Sequence, residues 1–204
     1  MNYELAYRIG FHPWEDAANQ PSFNEKLAEL LEHEERGRAQ PYGLALDIGT
    51  GSGIWATRLA QRGWQVTGVD LAETALHRAG DRVQEAGVDV RLVHGDVTAL
   101  RHAGVGSGFQ LVLDTGTFHG LNGAQREAMG REVRAIATDG VTVLMLAWAP
   151  RRRGPLPRGV SRSEIEAAFP GWSVTDLGAT RFEAPRPIEI LLKPDERWYR
   201  ISRD

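Results

Sequence analysis

The segment LALDIGTGSGIW, residues 44–55, constrains this chain more than any other stretch. A short apolar run ends in an acid and three glycines, and helical spacing resumes at once in WATRLAQR. Gly49, Gly51 and Gly53 let the backbone turn sharply and approach a ligand where a Cβ would clash. The helix behind them directs its N-terminal amides at that ligand. Asp47, just ahead of the loop, sets a carboxylate beside the pocket.

The downstream pattern extends this unit. WQVTGVD, VRLVHGD, FQLVLDTG and VTVLMLAW read as strands, and LAETALHRAGDRVQEAG and AQREAMGREVRAIAT as the helices between them. Such alternation predicts an α/β, doubly wound sheet, mostly parallel, with right-handed crossovers and helices on both faces. After Trp148 the rhythm changes. APRRRGPLPRG is a loop by its Pro, Arg and Gly content. SRSEIEAAF starts a helix with Ser161 and Glu164 spaced as a capping box. WSVTDLGA and either IEILLKP or RWYRISR then predict an antiparallel pair at one sheet edge. Upstream, Ser22 and Glu25 have the same capping-box spacing before KLAELLEHEER. Length fits one domain over 1–204, with residues 1–40 as an N-terminal segment and 41–204 as the α/β core.

The strand ends select the ligand. A dinucleotide site requires a third glycine at position 54, and this chain has Ile54. There is no Lys-Ser/Thr for a phosphate loop, and Asp47 would repel a pyrophosphate while suiting an ammonium. The ligand reads as a nucleoside without phosphates. Asp70 follows Gly49 at about 20 residues, the spacing at which an acid accepts both ribose hydroxyls. Asp96 could accept an adenine amine, with Val97 against the ring, and Leu71 joins this set beside Asp70. Asp114 closes the fourth strand. Carboxylates thus gather at the C-terminal sheet edge, where open α/β sheets bind ligands.

DIGTGSG, the GVD acid, the GD turn and the LDTG strand end together resemble class I S-adenosylmethionine-dependent methyltransferases over about residues 41–148. The resemblance implies S-adenosylmethionine as cofactor and a seven-stranded Rossmann-like methyltransferase sheet, whose antiparallel seventh strand is IEILLKP or RWYRISR. It assigns the methionine portion to Gly49 and Gly51, the ribose to Asp70 and the adenine to Asp96. It also implies that the aromatic leader with Tyr3, Tyr7, Phe11, His12, Trp14 and Glu15 folds over the cofactor as a lid. Trp14 would pack by the sulfonium, and His12 and Glu15 would contact the acceptor. Packing of the leader on the domain surface is the other reading.

Methyl transfer from a sulfonium asks the protein mainly to position the nucleophile. A hydroxyl acceptor also gains from a base, and His119, in the loop after the fourth strand, suits that role at neutral pH. A positioning or helix-capping role remains open for it. Thr115 and Trp148, at neighbouring strand ends, belong to the acceptor site. The strand end Asp114-Thr115-Gly116-Thr117 lacks the prolines and aromatic of nucleic-acid amino-methyltransferases, and is loosely similar to small-molecule enzymes of the thiopurine and tellurite-resistance type. The leading expectation is O-methylation of a small molecule such as a sugar or secondary metabolite. Thiol or heterocycle-nitrogen acceptors, a non-catalytic nucleoside-binding module and an NAD-dependent oxidoreductase are the alternatives. Arg151, Arg152 and Arg153 form either an anion contact or a solvated loop.

Charge narrows the partners. With net charge −3 and pI near 6.1, no global basic field holds a nucleic acid. There are no cysteines, and the chain lacks both a long apolar run and a signal-peptide pattern, which points to a cytoplasmic, membrane-free protein. No metal is expected, because the pairs Asp114–His119 and His94–Asp96 have no further clear ligands.

Overall fold

The structure, a computed structural model, describes residues 3–8, 10, 15, 20–151, 157–180 and 195–203. In chain order its elements are α1 (Tyr3–Arg8), α2 (Pro21–Glu35), β1 (Leu44–Ile48), α3 (Ile54–Arg62), β2 (Gln65–Asp70), α4 (Glu73–Ala86) and β3 (Val90–His94). Then come α5 (Leu100–Ala103), β4 (Phe109–Asp114), α6 (Gly123–Ile136), β5 (Ala137–Trp148), α7 (Arg162–Ala168), β6 (Ser173–Thr180) and β7 (Glu196–Ser202).

Among the described residues the strands form one seven-stranded sheet in the order β3-β2-β1-β4-β5-β7-β6. The first five run parallel. β7 is antiparallel to both its neighbours and lies one place in from the edge. This is the expected antiparallel pair, and RWYRISR supplies its inner member; IEILLKP lies outside the described residues. The strand order reverses between β1 and β4. A crevice therefore opens above their C-terminal ends, where Gly49 and Asp114 stand.

Both faces of the sheet are covered, as apolar strands without polar alternation require. Within β5, Val143, Met145 and Ala147 join the core under α6 and α7, while Leu144 and Leu146 join the core under α2 and α3. Full burial of a Val, Leu or Met side chain of this kind is worth roughly 1.5–3 kcal/mol. Ion pairs fasten α2 to the sheet: Glu34 accepts from Thr142 Oγ1 and Arg200 Nε, both at 2.7 Å. Glu35 accepts from Trp64 Nε1 at 3.0 Å and Arg62 Nε at 2.8 Å.

The capping box of α7 forms as expected, with Ser161 and Glu164 bonding each other's backbone amides. That expected for α2 does not. The helix begins at Pro21 with Gln20 as its N-cap, which makes no side-chain cap bond. Proline at the first helical position needs no amide partner and has a helical φ already, so the start moves ahead of Ser22.

Candidate functional site

At the tip of β1 the glycines do what the sequence asks of them. Gly49 and Gly51 have φ of 66° and 55°, a region that favours glycine. A Cβ on Gly49 would stand 1.9 Å from Thr117 Oγ1, and one on Gly51 2.6 Å from Tyr7 Oη. The loop backbone is thus pressed between the β4 loop and α1. Thr117 Oγ1 also donates to the Ile48 carbonyl at 3.2 Å.

Asp70 holds the same loop from β2. Its Oδ2 accepts the Gly51 amide at 2.9 Å and its Oδ1 the Ala72 amide at 2.8 Å. Burial raises its pKa, and those amide bonds oppose the rise. Each oxygen keeps a second lone pair for a ribose hydroxyl. Leu71 next to it is 63% exposed, a large apolar side chain open to a ligand at this edge. Asp96 is exposed; its Oδ1 accepts from Thr98 N and Oγ1, both at 2.8 Å, and caps a short 3₁₀ turn. Val97 is buried in the core instead of lying open at the edge.

Two acids expected at the ligand are fully buried. Asp47 Oδ2 accepts from Thr50 Oγ1 at 2.6 Å, and Oδ1 has no hydrogen-bond partner. Burial, with the Asp114 and Asp70 charges nearby, pushes its pKa up to about 7. Asp114 accepts from the amides of Gly116 at 2.9 Å, Thr117 at 2.7 Å and Phe118 at 3.0 Å. Burial still raises it to about 6. With no exposed surface and both oxygens on backbone amides, Asp114 shapes the loop that carries His119; this geometry replaces the expected ligand contact.

His119 sits in a 3₁₀ turn, Phe118–Gly120, and is buried. Its ring stacks on Trp148 with centroids 4.8 Å apart and planes 12° apart. Its Nδ1 accepts the Trp148 backbone amide at 3.4 Å. Trp148 Nε1 donates to Glu196 Oε1 at 2.9 Å, so β4, β5 and β7 together fix this aromatic pair. Thr115 is half-buried two residues before Thr117. Beneath the pair lies Arg126, 4% exposed. Its guanidinium donates to the carbonyls of Phe118 (3.2 Å), His119 (3.1 Å) and Gly159 (3.0 Å), and to Glu164 Oε1 at 2.9 Å.

The N-terminal segment reaches the loop through α1, which packs on α4. Glu4 accepts the Thr74 amide at 3.3 Å and also bonds the Thr74 hydroxyl. Glu15 accepts from Tyr7 Oη at 3.0 Å. Trp14, His12, Arg152 and Arg153 lie outside the described residues, and Arg151 is exposed. Among the described residues no group of three or more His, Asp or Glu is placed to hold a metal ion, and no helix is long and apolar enough to cross a membrane.

Sequence reading missed Arg126, Thr117 and Glu196. Arg126 looks like a solvated position of an ordinary charged helix. The adjacent glycine gave some hint of Thr117, since a Gly-rich loop implies a close neighbour.

Comparison with known proteins agrees with this edge. Residues 45–140 match the family described as "Methyltransferase domain". The chain is 30% identical over 190 residues to 2-heptyl-1-hydroxyquinolin-4(1H)-one methyltransferase of Mycobacteroides abscessus, covering 89% of this chain and 81% of the relative. A solved structure described as "Conversion of a Disulfide Bond into a Thioacetal Group during Echinomycin Biosynthesis" superposes with TM-score 0.72 at 24% identity, covering 99% of this chain and 91% of the other. The N-methyltransferase NodS from Bradyrhizobium japonicum, in complex with S-adenosylhomocysteine, gives TM-score 0.69 at 16% identity, covering 91% and 89%. The last two establish the shared fold.

The chain belongs to the class I S-adenosylmethionine-dependent methyltransferases. Its residues fit that cofactor: a glycine loop turned through left-handed φ at Gly49 and Gly51, a ribose-spaced acid tied to that loop with a lone pair spare on each oxygen, and the exposed apolar Leu71 beside that acid.

Proposed function

We propose that this methyltransferase acts on a hydroxyl oxygen of a small, planar heteroaromatic molecule. The observation that carries this reading is the His119–Trp148 stack at the C-terminal ends of β4 and β5, an aromatic wall beside the reversal point of the sheet. Flat rings gain from offset stacking on such a wall. The curated relative supports the same class, since its name specifies a fused-ring quinolinone bearing a ring-nitrogen hydroxyl. A sugar, named with secondary metabolites in the leading expectation from sequence, can also lay a C–H face on an aromatic ring, but a fused heteroaromatic offers the larger flat area.

S-adenosylmethionine supplies a methyl group already activated on a sulfonium. What remains for the chain is to hold the acceptor oxygen in line and handle its proton. Because the Trp148 amide donates to Nδ1, the neutral His119 ring carries its proton on Nε2. That tautomer donates a hydrogen bond. We therefore assign His119 as the donor that orients and stabilises an acceptor oxyanion, in place of the general base expected from sequence. An acidic ring hydroxyl arrives already ionised near neutral pH, so no base is needed. Asp114 and Arg126 keep the His119 turn in place, and Leu71, Asp70 and Asp96 line the nucleoside end.

The test is a labelled-methyl assay on an N-hydroxyquinolinone, a phenol, an aryl thiol and an imidazole, with the methylated atom assigned by NMR. Transfer to oxygen of the acidic ring hydroxyl is expected. The pH–rate limb should follow the acceptor's own pKa, and His119→Gln should keep more activity than His119→Ala. Methylation confined to sulfur or nitrogen would sink the O-acceptor reading. A limb that stays put as acceptor pKa changes, and vanishes in His119→Gln, would restore His119 as base.

A further inference from the structure

The amino-acid end of S-adenosylmethionine carries an ammonium that needs an acceptor at the glycine loop. Asp47, the nearest acid in sequence, is fully buried with one oxygen on Thr50. Asp70 spends one bond of each oxygen on the Gly51 and Ala72 amides and stands at the ribose spacing.

A different carboxylate reaches the loop from outside the sheet. A Cβ on Gly51 would stand 3.9 Å from Glu15 Oε1 and 2.6 Å from Tyr7 Oη, and Tyr7 Oη donates to that same Glu15 oxygen at 3.0 Å. Tyr7 is 2% exposed and packs on Ala72 and Ala75. Arg78 Nη2 donates to its carbonyl at 3.0 Å, and Glu4 fastens the same short helix to Thr74. These contacts fix Tyr7, and Tyr7 in turn holds Glu15 over the one loop residue whose amide is bonded to Asp70. Gly51 thus lies between two acids, one gripping its amide and one above its Cα.

We infer that Glu15 receives the ammonium group of the cofactor's methionine portion, with Tyr7 as the residue that aims it. From sequence, Glu15 belonged to the acceptor; its place over Gly51 moves it to the cofactor. The role needs only that the chain binds S-adenosylmethionine, and it holds whatever the acceptor is. A carboxylate–ammonium hydrogen bond is charge-assisted and among the stronger ones. The bond also explains why position 51 excludes a side chain: any Cβ would push out the hydroxyl that aims Glu15.

The experiment compares two ligands by calorimetry in the full chain. S-adenosylhomocysteine has the amino-acid end, and 5′-methylthioadenosine lacks it. Glu15→Gln keeps an acceptor for Tyr7 and removes the charge. It should weaken S-adenosylhomocysteine about tenfold, or 1.4 kcal/mol, leave 5′-methylthioadenosine unchanged, and leave the ligand-free melting temperature unchanged. Tyr7→Phe should show the same selective loss, only smaller. Equal weakening of both ligands, or none of either, would overturn the assignment. If the unaltered chain bound neither ligand, the cofactor reading itself would fall, a result distinct from either of these.

Discussion

The Gly51 amide donates to Asp70 Oδ2 at 2.9 Å, so the glycine loop of β1 is tied to the tip of β2. The acid that should read the ribose is also the acid that holds the cradle. Asp70→Asn should therefore act twice, losing a ribose acceptor and pointing an amide donor at the Gly51 N–H or the Ala72 N–H. Affinity for S-adenosylhomocysteine should fall by about 1–3 kcal/mol, the usual penalty for unpaired buried groups. Calorimetry gives the affinity, and an unchanged dissociation constant would show that Asp70 serves the loop alone.

Gly49 faces Thr117 where a Cβ would stand 1.9 Å from its hydroxyl. Gly49→Ala adds this clash to the roughly 1–2 kcal/mol that a left-handed φ costs an ordinary residue. The double change Gly49→Ala with Thr117→Ala should recover the clash and leave the φ cost. Urea unfolding of the two variants separates these terms; equal midpoints would mean that Thr117 simply swings aside.

Arg126 joins the His119 turn, Gly159 and α7 through one buried guanidinium. Arg126→Met would strip the His119 and Gly159 carbonyls of their donor, the Phe118 carbonyl keeping the Leu121 amide, and would leave Glu164 without this partner; it should destabilise by about 3 kcal/mol. Glu164→Gln should cost less, because the carbonyl bonds survive. Denaturant midpoints rank the two, and the reverse order would show that the ion pair outweighs the carbonyl bonds.

Protonation gives a further prediction. An ordinary aspartate titrates at 3.8, and burial lifts Asp47 to about 7 and Asp114 to about 6 in the folded chain. Between those limits the folded state holds protons that the unfolded state has released. Stability should therefore decline as pH rises from about 4 to about 7 and level off above. Glu164 works in the other direction at lower pH. Burial alone would raise it, yet the Ser161 amide and Arg158 outweigh that and lower it to about 2 from 4.5, so its contribution fades as pH falls through that range. Asp47→Asn should flatten the decline above pH 4 in ligand-free melting curves. A slope as steep as that of the unaltered chain would locate the protons elsewhere.

The sequence shows the sheet because its cause is local. Alternating apolar runs, glycine stops and the Ser161 capping box each act within a few residues, and all appear where expected. The juxtaposition of Asp70 and the glycine loop at one sheet edge was legible for the same reason, through fixed spacing along the chain. The placement of Asp114 and Glu15 was not. Whether an acid at a strand end faces a ligand or its own loop depends on which amides fold back on it, and spacing is silent on that. Glu15 meets Gly51 only because α1 packs on α4, a contact across some sixty residues or more that leaves no periodic trace. Arg126 was hidden by composition, since buried and solvated arginines look alike on a charged helix.

The strand β7 comes after β6 in the chain but lies between β5 and β6 in the sheet. Until it is inserted, β6 has no ladder to join and the Trp148 indole has no Glu196. β7 also brings Arg200 to Glu34, a bond between residues 166 positions apart. Closing so large a loop is an entropic cost met before its contacts reward it, which slows folding of such topologies. The β1–β4 half can assemble from nearer neighbours, whereas the aromatic wall waits for the last strand to arrive. The topology therefore predicts that the Gly51–Asp70 tie forms before the Trp148–Glu196 bond in the folding of one sheet.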